Sequence, residues 1–346
     1  MLVRLLEKVL IGDSLANLVI QDMSSLQKYE PASESILEVK KIGPGSLEKR
    51  TVKFKNGDSY IYEDARRPII GYLIANPVVH LESGLINTCQ GFLVEEFSGH
   101  YMGIFGAGTV AHEYALTNKR SKKVEGTWAT AGIPKQYFHF LIQVLPTLIR
   151  TINTFEVKGI ILSSTAPKWA VQALSHLHSN ILISDEVALE LERLAVVSVP
   201  QVMNTNDVEL VKNFYSDFIH DNNSRTLAFA TRLGNFREIE FEVQIAEFVE
   251  SLDGITVVPE TLKFDEEISF FSSYSHYIIT GGSATANCIW MNPGTKVLIV
   301  FSGHNFETQF DVHLYQSNKL KVSYLNIEEH RSFSELESEL RLFTQS

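Results

Sequence analysis

Three short segments carry side chains whose types and spacing suit chemistry on an anion. The first is Thr280-Gly281-Gly282-Ser283-Ala284-Thr285-Ala286-Asn287, which leaves an apolar strand and enters a helix. Glycines admit a close backbone approach, Ser283 and Thr285 offer hydroxyls, and unpaired N–H groups at a helix start attract phosphate. The segment is neither GxGxxG nor a Walker loop, and an ordinary strand-to-helix turn would read the same way. The second is Ala230-Thr231-Arg232-Leu233-Gly234-Asn235-Phe236-Arg237, where Arg232 ends a strand and Arg237 precedes a helix. A cation at a helix N-terminus opposes the macrodipole, so an anion gripped bidentately by guanidinium would account for both arginines. Pairing with Glu238 or Glu240 accounts for Arg237 equally well. The third is Gln136-Tyr137-Phe138-His139-Phe140. His139 falls off the apolar stripe of the helix it opens, and imidazole, which titrates near neutrality, can serve as a general base. A lone histidine is also commonly structural. His276, His304 and His313 are scattered. No HExxH, GxSxG or DxD occurs, so metalloprotease, serine hydrolase and DxD-dependent sugar transfer lack support.

These segments need a frame, and the apolar periodicity supplies one. Leu141, Leu145, Leu148 and Ile152 recur at helical spacing after Pro134, with Pro146 predicting a kink. A strand at 158–162, a helix at 168–177, a strand at 181–183 and a helix at 207–219 follow. The polar run His220-Asp221-Asn222-Asn223-Ser224 is the best linker. Beyond it, strands at 226–230, 255–258, 277–280, 297–301 and 320–325 alternate with helices, among them 265–273, opened by an Asp cap. A helix at 333–343 closes the chain. That alternation predicts a parallel sheet covered on both faces. Earlier, Asn56-Gly57 between two β-rich runs signals a hairpin, and strands are expected at 69–75, 91–94 and 101–105. Residues 117–125, with Lys119, Arg120, Lys122 and Lys123, read as a solvated loop, or as a contact for an acidic partner or anionic lipid. The expected organisation is α/β and bilobal: residues 1–219 as an N-terminal lobe with an irregular or β start at 1–66, residues 220–332 as a C-terminal lobe, and 333–346 as a closing helix.

Composition narrows the class. The 346 residues are 45% hydrophobic and 21% charged, with a net charge of −11. This suits about two well-cored domains and offers no basic field for nucleic acid. The two cysteines, Cys89 and Cys288, match no zinc or disulfide spacing and read as buried thiols. Residues 1–8 are too charged for a secretory leader, and no stretch approaches a membrane span. A cytoplasmic protein is expected, with the Asn222-Asn223-Ser224 sequon a chance match.

Ordered along the chain, His139 through Leu145-Pro146, Arg232, Arg237 and Glu242, the run from Val258-Pro259-Glu260 to Phe264-Asp265-Glu266-Glu267-Ile268-Ser269-Phe270-Phe271, then Gly281 to Asn287 and Pro293-Gly294-Thr295 resemble glycosyltransferase family 61, including its bacterial capsular-polysaccharide members. The resemblance covers roughly residues 135–300. Two departures stand out. Gly282 precedes Ser283 where most members have His before Gly, so that donor contact is absent or passes to Ser283. Phe241 stands before the helix glutamate where the family often has Asn.

The resemblance implies a GT-B-like fold, two Rossmann-like lobes facing a cleft, and inverting, metal-independent transfer from a UDP-linked sugar to a glycan or lipid-linked acceptor. On that reading Arg232, Arg237, Gly281, Gly282, Ser283, Ala284, Thr285 and Asn287 hold the donor's diphosphate. Val258, Pro259 and Glu260 lie beside its base, and His139, in the N-terminal lobe across the cleft, deprotonates the acceptor. No cofactor or metal is expected, and contact with a membrane would be peripheral. A polysaccharide pyruvyltransferase, a sugar-nucleotide epimerase and a non-catalytic glycan-binding relative are the alternatives.

Overall fold

The computed structural model describes residues 19–20, 36–43, 46–53, 59–66, 69–81, 84–88, 93–94, 122–131, 136–198, 205–220, 225–234, 238–303 and 314–345. The chain divides into two compact units, the first drawn from residues 1–49, 63–135 and 143–201, the second from 50–62, 136–142 and 202–346. The division thus falls near residue 202 rather than 219/220. The reason is aromatic packing in the second unit: Tyr215, fully buried, meets Phe264 and Trp290 edge-on with ring centroids 5.4 and 5.6 Å away.

In the chain's first part lie strands β1 (Val19–Ile20), β2 (Ile36–Gly43), β3 (Ser46–Lys53), β4 (Ser59–Arg66), β5 (Ile69–Ala75), β6 (Val78–His80), β7 (Ile86–Asn87), β8 (Leu93–Val94) and β9 (Lys122–Thr130). There follow α1 (Leu145–Thr154), β10 (Gly159–Ser163), α2 (Lys168–Leu177), β11 (Ile181–Ser184) and β12 (Ala188–Val197). The runs flanking Asn56-Gly57 do pair, as β3 with β4. The turn itself, and the strand expected at 101–105, lie outside the described residues. The first unit's sheet runs β1-β8-β7-β6-β12-β9-β10-β11, with β5 on β12 and β2 on β5. It is mixed, not parallel, because β12 runs antiparallel to β5 and β6 and parallel to β9. Lys122–Glu125, read as loop, instead opens β9, where Lys123 stands opposite Glu190 and pairs with it at 3.5 Å. β10 is buried at all five positions, as an inner strand must be.

The second unit contains α3 (Thr205–Phe214), β13 (Arg225–Ala230), α4 (Glu242–Glu250), β14 (Ile255–Val257), α5 (Phe264–Phe271), β15 (Tyr274–Thr280), β16 (Lys296–Phe301), β17 (Lys321–Asn326) and α6 (Phe333–Gln345). Its five strands are all parallel, in the order β14-β13-β15-β16-β17. Phe229, Ile278, Leu298 and Val300 project from the sheet onto Ile245, Phe248 and Val249 of α4 and onto Leu336 and Leu340 of α6. Burying each such side chain contributes about 1.5–3 kcal/mol. The cap of α5 differs from expectation: the carboxylate of Glu266 accepts the N–H of Lys263 at 2.9 Å, reaching back over the first turn, while Asp265 lies within that turn. Cys288 is a buried thiol, as expected; Cys89 lies outside the described residues. Among the described residues no helix is long and apolar enough to cross a membrane.

Candidate functional site

In a doubly wound sheet, ligands occupy the crevice at the carboxyl ends of the strands, where the strand order reverses. Here the order reverses at β13, which lies between β14 and β15. The chain leaves β13 at Thr231–Arg232, leaves β14 at Val258-Pro259-Glu260 and leaves β15 at Gly281–Gly282. Three of the segments singled out from the sequence therefore meet at one end of one sheet. Arg237 lies outside the described residues.

Contact between two of those segments is direct. Gly282 has φ +129° and ψ −151°, a region essentially confined to glycine. A Cβ there would collide with the guanidinium of Arg232, which lies over the glycine. A side chain at 282 would require the Arg232 guanidinium to move aside and would strain the backbone, so glycine is favoured there chiefly by its φ. Gly281 is less constrained, since a Cβ would meet only ordinary contacts near 3.5 Å.

Glu242, buried at the start of α4, ties the strand ends together. Its Oε1 accepts the Arg232 N–H at 2.9 Å and the Thr280 hydroxyl in a short bond, and its Oε2 accepts the Ile239 N–H at 3.3 Å. The preceding Phe241 sits at φ +65°, the left-handed region where Asn is enriched and a bulky side chain is an outlier. Its ring packs 6.2 Å from that of Phe333 on α6. Phe at 241 thus gives up backbone ease for an aromatic contact.

Beyond Gly282 the chain forms a 3-10 helix, Ser283–Ile289, rather than an α-helix. Ser283 is exposed and Ala284 half-buried, but Thr285 and Asn287 turn inward, unlike the expected donor contacts. The N–H and hydroxyl of Thr285 both donate to Gly282 O, at 2.9 and 2.7 Å. Asn287, fully buried, accepts the Tyr137 hydroxyl at 2.6 Å and donates to Glu267 Oε1 at 2.6 Å. Burial pushes the Glu267 carboxyl up to about 8, with the charge of Glu260 adding to the rise and bonds from Asn287 and Tyr137 opposing it. Burial likewise holds the Tyr137 phenol well above its ordinary value. Glu267, Asn287 and Tyr137 form a buried polar line beneath the glycine turn.

Tyr137 begins the helical turn Tyr137–His139, and that turn packs on the 3-10 helix. His139, half-buried and edge-on to Phe138 at 5.7 Å, therefore goes with the second unit and not with the N-terminal lobe. The expected kink at Pro146 takes the form of a π-helical stretch, Phe140–Val144, with Pro146 in the first turn of α1. Proline has no N–H for Ile142 O and its ring crowds that carbonyl, so the turn widens ahead of it. His276 faces Ser275 and Phe343 at the far end of β15, away from the glycine turn; His304 and His313 lie outside the described residues.

Tyr137 and Glu267 belong to no motif that singles them out in the sequence, and Glu242 stands out there only through the family resemblance. A signal for Glu267 was present: it shares the stripe of Phe264, Ile268 and Phe271, and a carboxylate on an apolar stripe needs buried partners.

A parallel doubly wound unit with an arginine and a glycine turn at its switch point defines a class of α/β ligand-binding proteins. Residues 137–298, a little under half of the chain, match the family model described as Glycosyltransferase 61. The match supports a glycosyltransferase, and with it a sugar donor and an acceptor. It begins at Tyr137 and takes in Arg232, Glu242, Glu267 and the glycine turn. No curated protein matches the chain.

Proposed function

We propose that this chain is an inverting, metal-independent glycosyltransferase of family 61 that moves a sugar from a UDP-linked donor to a glycan or lipid-linked acceptor in surface polysaccharide synthesis. It works in the cytoplasm, peripherally at the inner face of a membrane, with a GT-B-like cleft between two lobes. The observation that carries this reading is the Arg232 guanidinium lying on Gly282 at the switch point, within the span that matches the family.

There the donor diphosphate would find a fork-shaped cation and a backbone it can approach closely, with the exposed Ser283 hydroxyl beside them. The nucleobase would lie toward Val258, Pro259 and Glu260. In a single displacement the acceptor oxygen attacks the anomeric carbon from the face opposite the leaving diphosphate. A base takes the acceptor's proton, and His139 is assigned that part. Arg232 supplies the positive charge the leaving group needs without a metal.

Calorimetry with UDP tests the donor site. Arg232→Ala is expected to weaken binding by ~1.5–3 kcal/mol and Arg232→Lys to recover only part of it. Unchanged affinity in the Ala variant would place the donor elsewhere. The glycine at 282 favours one second reading, a non-catalytic glycan-binding relative. Nucleotide binding without turnover across a broad acceptor panel would establish that instead.

A further inference from the structure

The first unit holds an open cavity of about 670 Å³ that the donor site does not use. Its size falls in the roughly 300–1,000 Å³ range of small-molecule clefts. The floor crosses four neighbouring strands: Lys40 and Glu38 on β2, Leu73 on β5, Arg193 on β12 and Thr127 on β9. The loop after α1, with Phe155, Glu156 and Lys158, forms a wall. Lys40 stands opposite Gly71, and the Phe155 ring fills the space a side chain would take there.

The lining is rich in uncommitted donors. The Lys40 ammonium rests 4.6 Å from the centre of the Phe155 ring, bonds Thr154 O at 3.2 Å and faces Glu38 at 3.2 Å, which leaves one of its three N–H groups. Lys158 gives one N–H to Glu125 O at 3.3 Å and leans over the Trp128 ring. Arg193 pairs with Glu192 at 3.2 Å through one terminal nitrogen, while its Nε is shielded from water and makes no hydrogen bond among the described residues. A shielded guanidinium N–H without an acceptor carries a desolvation cost that an incoming anion relieves. Glu38 is already engaged by Lys40, which leaves Glu156 as the lining carboxylate open to a hydroxyl. Lys40, Lys158 and Arg193 are balanced by Glu38, Glu156 and the Glu192 that pairs with Arg193, so what favours an anion here is the shielded Arg193 Nε and the remaining ammonium N–H groups rather than net charge.

We propose that this cavity binds a saccharide bearing a carboxylate or a phosphate, an inference that rests on the transferase reading only for the ligand's being a sugar. The acid group meets Arg193 and Lys40, Lys158 adds a further donor, and a ring hydroxyl donates to Glu156.

The test is titration of the full chain with glucuronic acid, glucose 6-phosphate, glucose and inorganic phosphate, with UDP titrated in parallel. The two acidic sugars are expected to bind at least about fivefold more tightly than glucose or phosphate alone. Arg193→Gln should weaken them about tenfold and Arg193→Lys by less, with UDP affinity unchanged in both. Lys158→Gln, on the exposed rim, gives a second variant should position 193 prove necessary for folding. Equal affinity for glucose, or phosphate binding as tightly as glucose 6-phosphate, would overturn the inference. So would acidic-sugar binding that ignores both substitutions. UDP affinity in Arg232→Ala bears on the donor site alone, so the two readings fail separately.

Discussion

Glu267 is where a single residue's chemistry is best exposed to measurement. Its carboxyl sits near 8 in the folded protein against 4.5 when solvated, so between those values the native state binds more protons than the unfolded chain. Stability contributed by this group is therefore full below about pH 4.5 and declines as pH rises toward 8, by up to ~1.4 kcal/mol per pH unit. Glu267→Gln keeps an acceptor for the Asn287 amide and removes the titration. Urea unfolding at pH 6, 7 and 8.5 is expected to show wild type losing stability along the series relative to the variant; parallel curves would mean the carboxyl is not protonated. Gly282 offers the second residue-scale case. Gly282→Ala puts a Cβ where the Arg232 guanidinium lies, at a φ that strains any L residue. It should destabilise the fold by ~1–3 kcal/mol and weaken UDP about as much as Arg232→Ala does. Retained UDP affinity would separate Arg232 from the donor.

At the scale of elements, the switch point depends on a brace. Glu242 accepts from the loop after β13, from Thr280 at the end of β15 and from Ile239, so removing it leaves three donors unpaired at once. Glu242→Ala is expected to cost about 3 kcal/mol or more in denaturant unfolding, and Glu242→Gln, which keeps one acceptor oxygen, roughly half as much. Equal losses would show that packing rather than hydrogen bonding makes Glu242 important. The strands and helices that carry this brace were largely legible in the sequence, since each strand from 226 to 301 is a short apolar run ended by a turn. β12 was partly so: Leu189-Glu190-Leu191-Glu192 alternates at strand period, but Arg193 breaks the alternation where the register shifts against β9, and pairing on both edges makes ALELERLAVV the spine of the first sheet. The inward turn of Asn287 was hidden. Its type and place suggested a ligand contact, and the bonds to Tyr137 and Glu267 that claim it come from residues 150 and 20 positions away. The place of His139 in the second unit is hidden for a related reason. Its helix continues into the first unit, while its opening turn packs on the 3-10 helix of the second and is joined to it by that same Tyr137 bond.

For the whole molecule, the donor reading makes a demand that a melting experiment can check. A ligand that binds only the native state raises stability by RT ln(1 + [L]/Kd), ~2.7 kcal/mol at a hundredfold excess over Kd. On the proposed donor site, in which Arg232 and the glycine turn rather than a bound cation receive the diphosphate, UDP and UDP-sugars are expected to raise Tm in the presence of excess EDTA. GDP and CMP should do less if the base lies, as proposed, against Val258-Pro259-Glu260. Turnover adds His139: its replacement by Ala should leave the UDP shift intact and lower kcat by ~10²–10⁴. His139 stands two residues from Tyr137 in the same helical turn, so a buttressing role would show differently, as a lower Tm with donor shift and rate lost together. A folded His139→Ala protein with near-normal kcat removes the histidine from the mechanism. Turnover abolished by EDTA and restored by Mn²⁺ would instead require a metal to carry the charge assigned to Arg232.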